Sequence, residues 1–263
     1  MFTKKLILIM FLGISLLFMS FINSEPSKDN KVDIAISSNT LESTDNGIVV
    51  LELFTSQGCS SCPPADVLLE KFKNEYPENV FVLSYHVDYW DYIGWADPFS
   101  NENFTVKQSK YNWKLGYRGN YTPELVVNGK EHLVGSNRVK VEGAIKKYAA
   151  KGSSNRLMSQ QLDREAGKVN FIYKIKGATE GKIIRAVLLL NERITEVKRG
   201  ENRYRTLKNS NIVVAEKYLE PNGNSIVGSI TIPKIVKKDE KLILMLLIEN
   251  DNADITGAVK ESI

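Results

Sequence analysis

Ile48-Val49-Val50-Leu51-Glu52-Leu53-Phe54-Thr55-Ser56-Gln57-Gly58-Cys59-Ser60-Ser61-Cys62-Pro63-Pro64-Ala65-Asp66 is the stretch on which the fold turns. The apolar, β-branched run 48–54 reads as a buried strand. Residues 55–58 break it, the cysteines follow at Cys-x-x-Cys spacing, and Pro63-Pro64 opens a helix with Val67, Leu68, Leu69 and Phe72 on its apolar face. Proline is tolerated there because first-turn N–H groups lack intrahelical acceptors. The cysteines therefore stand at a strand-to-helix junction. A thiolate at a helix N-terminus meets unpaired N–H groups and the positive end of the helix dipole, which lowers its pKa. Cys59 reads as an exposed nucleophile and Cys62, inside the helix, as the thiol that resolves a mixed disulfide. A structural disulfide is the competing reading, although closing so short a loop gains only about 2 kcal/mol in the chain-entropy model.

Further along, residues 79–87 read as a second strand, and Asp97-Pro98 as the cap and first residue of a helix reaching about Leu115. Thr122-Pro123 precedes an apolar pair of runs joined by Asn128-Gly129, the strongest short hairpin signal. Ser136 or Asn137 caps a last helix through Ala150, giving the order β-α-β-α-β-β-α. Lys151-Gly152-Ser153-Ser154-Asn155 is a composition break. Beyond it, 168–175, 183–191, 211–219, 225–232 and 241–250 read as strands with no comparable helix, which predicts an immunoglobulin-like sandwich over 156–263. The loop 192–205 reads as a solvated turn whose Arg199, Arg203 and Arg205 could meet an acidic partner.

Three segments carry a family resemblance: residues 52–66 as quoted above, His86-Val87-Asp88-Tyr89-Trp90-Asp91, and Tyr121-Thr122-Pro123. Together they resemble the secreted thioredoxin-like family catalogued as domain of unknown function 1223, from about Gly47 to the C-terminus. The resemblance implies an α/β thioredoxin-like domain over 47–150, followed by the all-β immunoglobulin-like sandwich. It implies a cis Thr122-Pro123 bond lying against the cysteines, with the Thr122 backbone free to pair with a substrate strand. It also implies an Arg-Gly-Glu-Asn-x-Gly-Arg segment in the second half, where this chain has Arg199-Gly200-Glu201-Asn202-Arg203-Tyr204-Arg205, with tyrosine at the glycine position.

A buried acid beneath the cysteines is common on the first core strand of such folds, and Glu52 fits that place, with a pKa raised by desolvation so that it could take a proton from Cys62. The alternative is a strand glutamate facing solvent. His86 and Asp88 alternate along the second strand and should share a face at its carboxyl end, where α/β sites gather, as an acid and a base. Cys59, Cys62 and His86 could otherwise hold copper or zinc, as in extracytoplasmic copper chaperones of the same fold, though those usually place three residues between the cysteines. No metal or other cofactor is expected in the preferred reading. Trp90, with Tyr89, Tyr92, Trp95 and Phe99, could form a ledge for a polypeptide or pack the connection onto the core.

Composition bounds the rest. Of 263 residues 43% are hydrophobic and 25% charged, enough for a buried core. The charge of +4 argues against a nucleic-acid partner, and two cysteines exclude a disulfide-stapled scaffold. Lys4 and Lys5 before the apolar run 6–22, ending at Ile22-Asn23-Ser24, read as a signal peptide over 1–24, with an uncleaved membrane anchor as the alternative. Both imply a secreted or periplasmic body, after a polar linker over 25–46. There is no phosphate-binding glycine loop or internal repeat. The expectation is an extracytoplasmic thiol–disulfide oxidoreductase acting on protein thiols or disulfides, with a redox partner protein. Its chemistry is expected within 47–150 and docking in the β domain. A metal chaperone and a noncatalytic partner-binding module are the alternatives.

Overall fold

Val49–Thr55 forms the first strand, β1, buried along its whole length in a computed structural model that describes residues 47–263. Val49, Leu51 and Leu53 enter one core cluster, Val50 and Phe54 another. A strand covered on both faces needs apolar side chains at both parities, hence the unbroken run. Helices α1 (Pro63–Glu75) and α3 (Arg138–Ala149) cover the first face, and α2 (Glu102–Lys114) covers the second. β1 pairs in parallel with β2 (Val80–His86) and antiparallel with β3 (Glu124–Val127), which returns as β4 (Glu131–Val134). At the turn, Asn128 and Gly129 have φ of 50° and 69°, the left-handed pair that a two-residue hairpin requires. A Cβ on Gly129 would also stand 2.1 Å from the carbonyl oxygen of Ala253.

The remaining strands are β5 (Arg156–Glu165), β6 (Lys168–Lys176), β7 (Lys182–Glu196), β8 (Thr206–Leu219), β9 (Ser225–Thr231), β10 (Leu242–Asn250) and β11 (Ile255–Ser262). They do not form a sandwich of their own. Eight strands make one mixed sheet in the order β11-β10-β7-β8-β2-β1-β3-β4, and β5-β6-β9 form a second, smaller sheet. The joint is β8 lying parallel to β2, with Ser84 opposite Ile212 and the Ser84 hydroxyl donating to the Ser210 carbonyl at 3.0 Å.

This corrects the expected fold class, a thioredoxin-like α/β domain followed by a separate immunoglobulin-like sandwich. The cluster beneath α2 takes Val50, Phe54, Leu83 and Tyr85 from the first half and Val187, Leu189 and Met245 from the second. β7 alternates as β1 does: Ile184, Ala186, Leu188 and Leu190 face the small sheet, while Val187 and Leu189 enter the shared cluster. Strand signals are local, whereas the edge a strand joins is decided by long-range burial, and an apolar run suits a sandwich or the middle of a wide sheet equally. The mostly exposed β5 carries no clean apolar alternation and was not expected as a strand. The second helix begins at Glu102, not at Pro98, with Asn101 Oδ1 accepting from the Asn103 N–H at 2.9 Å. The signal peptide (1–24) and linker (25–46) lie outside the described residues, among which no helix is long and apolar enough to cross a membrane.

Candidate functional site

Cys62 caps α1 and is joined to Cys59 by a disulfide. Both residues are 0% exposed, which corrects the expected exposure of Cys59; Ser60 and Ser61 face solvent instead. The Ser61 hydroxyl lies 3.3 Å from Cys59 Sγ and 3.5 Å from the Thr122 carbonyl oxygen. The Thr122-Pro123 bond is cis, and the Trp90 indole N–H donates to the Thr122 hydroxyl at 2.8 Å. Trp90, Thr122 and Pro123 are thus brought to the cysteine segment.

Asp66 is the buried acid one turn after Cys62 on the same helix face. Its N–H donates to the Cys62 carbonyl at 3.3 Å, and its Oδ2 accepts from the Thr55 hydroxyl at 3.2 Å. Oδ1 is buried without a hydrogen-bond partner. Burial pushes this carboxyl up to about 6, against the opposing pull of the His86 charge and the Thr55 hydroxyl. His86, fully buried, holds Asp97 Oδ2 at 2.7 Å through Nδ1 and leaves Nε2 buried and unpartnered. Burial opposes the imidazolium, but the carboxylates of Asp97, Asp66 and Asp91, Asp97 foremost, together raise the His86 pKa. Asp97 also accepts from the N–H groups of Gln57 at 2.8 Å and Phe99 at 3.0 Å, and, burial notwithstanding, the His86 charge holds it low. Its capping chemistry is spent on this loop rather than on α2.

Glu52 and Asp88 go elsewhere. Glu52 accepts from the Tyr111 hydroxyl at 2.7 Å and from Arg185 Nη1 at 2.5 Å, on the α2 side of the sheet rather than the α1 side. Burial raises its pKa, but the buried Arg185 guanidinium, with the Lys107 charge and the Tyr111 hydroxyl, more than compensates, so it is lowered, not raised as expected. The same arginine lies 3.2 Å from Glu216 and 2.6 Å from Glu249. Glu52 therefore neutralises a buried cation. Asp88 follows the end of β2, where strand alternation lapses, and accepts from the Thr105 hydroxyl on α2. It does not share a face with His86.

Of the stretch 192–205 expected as a solvated turn, 192–196 extend β7 and the loop 197–205 is built into the site. Asn202 Nδ2 donates to the carbonyls of Gln57 and Cys59, both at 2.9 Å, and Glu201 Oε2 accepts from the Ser60 N–H at 3.0 Å. Arg205 Nη1 holds Asn202 Oδ1 at 2.9 Å. Tyr204, where the resemblance implies glycine, has φ 68° and an exposed side chain, so the glycine-like backbone is kept at some strain. Asp66 and Asn202 were missed although both lie in quoted motifs. The spacing of Asp66 four residues after Cys62 could have found the first; no local pattern could have found the second. Among the described residues no group of three or more His, Cys, Asp and Glu side chains could hold a metal ion. A cleft of about 690 Å³ opens away from the cysteines, lined by Lys107, Tyr111, Trp113, Tyr218 and Glu249 among others.

A family model described as protein of unknown function (DUF1223) matches residues 50–248. The chain belongs to the DUF1223 family. The X-ray crystal structure of a protein from Agrobacterium tumefaciens is similar at 29% identity, covering 81% of this chain and 94% of that one with a TM-score of 0.62. A β-glucosidase from Kluyveromyces marxianus in complex with glucose overlaps 44% of this chain and 15% of its own, at 13% identity and a TM-score of 0.20. No curated protein matches the chain.

Proposed function

We propose that this DUF1223 protein is an extracytoplasmic thiol–disulfide oxidoreductase acting on protein thiols or disulfides, with a protein redox partner. The observation that carries the reading is the Cys59–Cys62 disulfide opening α1 with the buried Asp66 one turn behind it. In the reducing direction the Cys59 thiolate attacks a partner disulfide, bonds one of its sulfurs and expels the other as thiolate. Cys62 then gives its proton to Asp66 and attacks Cys59 Sγ, restoring the Cys59–Cys62 bond and releasing the second partner sulfur. Two electrons pass to the partner, and an external dithiol returns them to the cysteine pair. Oxidation of a partner dithiol is the same sequence reversed.

The remaining residues fit supporting roles. His86, whose pKa Asp97 raises, favours in its charged form the ionised Asp66 that can accept a proton. Thr122 and Pro123, with Trp90 fixing the Thr122 hydroxyl, would meet the extended partner chain beside the sulfurs. Kinship of this segment with the thioredoxin-like superfamily, and secretion, are parts of the same proposal. The test is turnover of a protein disulfide such as insulin in the presence of excess dithiol. Wild type should accelerate reduction and Cys59→Ser should not; equal rates with and without wild-type protein, across several protein disulfides, would end the oxidoreductase reading.

A further inference from the structure

We infer that the loop 197–205 between β7 and β8 is a redox-sensitive lid, clamped on the cysteine segment while the pair is oxidised and loosened when Cys59 carries a thiolate. The inference rests on the oxidoreductase reading only in naming what the lid regulates. The loop is closed at its own base by the Val197 N–H bonded to the Arg205 carbonyl at 2.9 Å and the Tyr204 N–H bonded to the Val197 carbonyl at 2.8 Å, so it can swing as a unit. Its hold on the site is a few side-chain contacts. Asn202, 0% exposed, grips the peptide carbonyls of Gln57 and Cys59, and Glu201 takes the Ser60 N–H. Gly200 rests against Ile93 and Trp95. The main chain is thereby held on both sides of Cys59. Because Cys59 is itself fully buried, a partner sulfur reaches it only after this segment moves.

Charge supplies the redox sensitivity. The disulfide is neutral and tolerates the Glu201 carboxylate at the N-terminus of α1. Reduction by a dithiol adds two electrons, breaks the Cys59–Cys62 bond and leaves a thiolate on Cys59, next in sequence to the Ser60 N–H that Glu201 holds. Two anions one residue apart repel, so the thiolate and the docked carboxylate disfavour each other. The charged groups around this point are Glu201 and Arg205 on the loop, the latter tied to Asn202, the buried Asp66 one turn along α1, and the His86–Asp97 pair, whose Asp97 takes the Gln57 N–H.

The experiment measures reduction of the intact oxidised protein by dithiothreitol, a probe too small to require a docking surface, alongside hydrogen exchange of the loop amides. Asn202→Ala removes the two hydrogen bonds to the cysteine segment, with the one from Arg205, and should speed reduction about tenfold. Glu201→Gln, at an exposed position, should lower the Cys59 pKa read from the pH dependence of alkylation. Amides of 197–205 should exchange faster in reduced than in oxidised wild type. Unchanged exchange on reduction, with Asn202→Ala reduced no faster than wild type, would overturn the lid. Should Asn202→Ala fail to fold, the wild-type exchange comparison decides alone. A lid that passes these tests in a protein without insulin activity leaves the lid standing and removes the oxidoreductase reading.

Discussion

Replacing Asp66 by asparagine should make the protein more stable and less active, and pH should separate the two effects. The carboxyl is driven from 3.8 to about 6, chiefly by burial. At about 1.4 kcal/mol per unit, that amounts to roughly 3 kcal/mol against the ionised form. A raised folded-state value means the folded protein holds this proton more tightly than the unfolded chain does. Stability from this group is fully present below pH 3.8, falls as pH rises towards about 6, and stays lost above that. Asparagine does not titrate. The variant's advantage should therefore be absent near pH 3.5 and reach roughly 3 kcal/mol at pH 7, or roughly 6–12 °C in Tm for a body of this size. Resolution of a mixed disulfide by Cys62 should slow about a hundredfold, and its rise with pH near 6 should disappear. Urea and thermal unfolding between pH 3.5 and 7, paired with single-turnover exchange, measure both. An asparagine variant less stable than wild type at pH 7, or a stability difference independent of pH, would refute the assignment.

Arg185→Met should cost about 3–5 kcal/mol in urea unfolding by leaving Glu52 and Glu249 buried without their cation, and adding Glu52→Gln together with Glu249→Gln should recover most of the loss; no recovery would mean that packing, not charge, is what Arg185 supplies. Asp97→Asn should lower the His86 pKa in an NMR titration, since Asp97 is the main group raising it, and an unmoved titration would show that the 2.7 Å pair does not carry the charge. A fragment of residues 47–150 should show no cooperative thermal transition, because it loses β8 from the edge of β2 and six of the fifteen buried residues of the shared core cluster; a sharp melt by circular dichroism would restore the idea of a separable domain.

What the sequence discloses here is what a short window can hold. The run 48–54, the prolines that open α1 and the Asn128-Gly129 turn each act within a few residues, and each appears where it was read. Pairing of β8 with β2, and the entry of β7 into the core beneath α2, join residues more than a hundred positions apart, and no periodicity encodes that choice. The site divides the same way. Cys59 and Cys62 were legible from local spacing, and the cis Thr122-Pro123 bond was implied by the family resemblance. Glu52 looked like the proton acceptor only because its cation, Arg185, comes from a distant strand. Asp97 passed for a helix cap because the same carboxylate chemistry serves a cap and a buried imidazole. Asn202 was discounted because its value lies in two carbonyls of the cysteine loop.

The central claim is that Cys59 exchanges with protein sulfurs and Cys62 resolves the product. Cys62→Ser separates the two steps. Incubated with a disulfide-bonded protein, this variant should accumulate a mixed disulfide mapped by mass spectrometry to Cys59, released by dithiol and absent in the Cys59→Ser variant. Failure of Cys62→Ser to form any mixed disulfide, under conditions where its free thiol is alkylated, would contradict the claim.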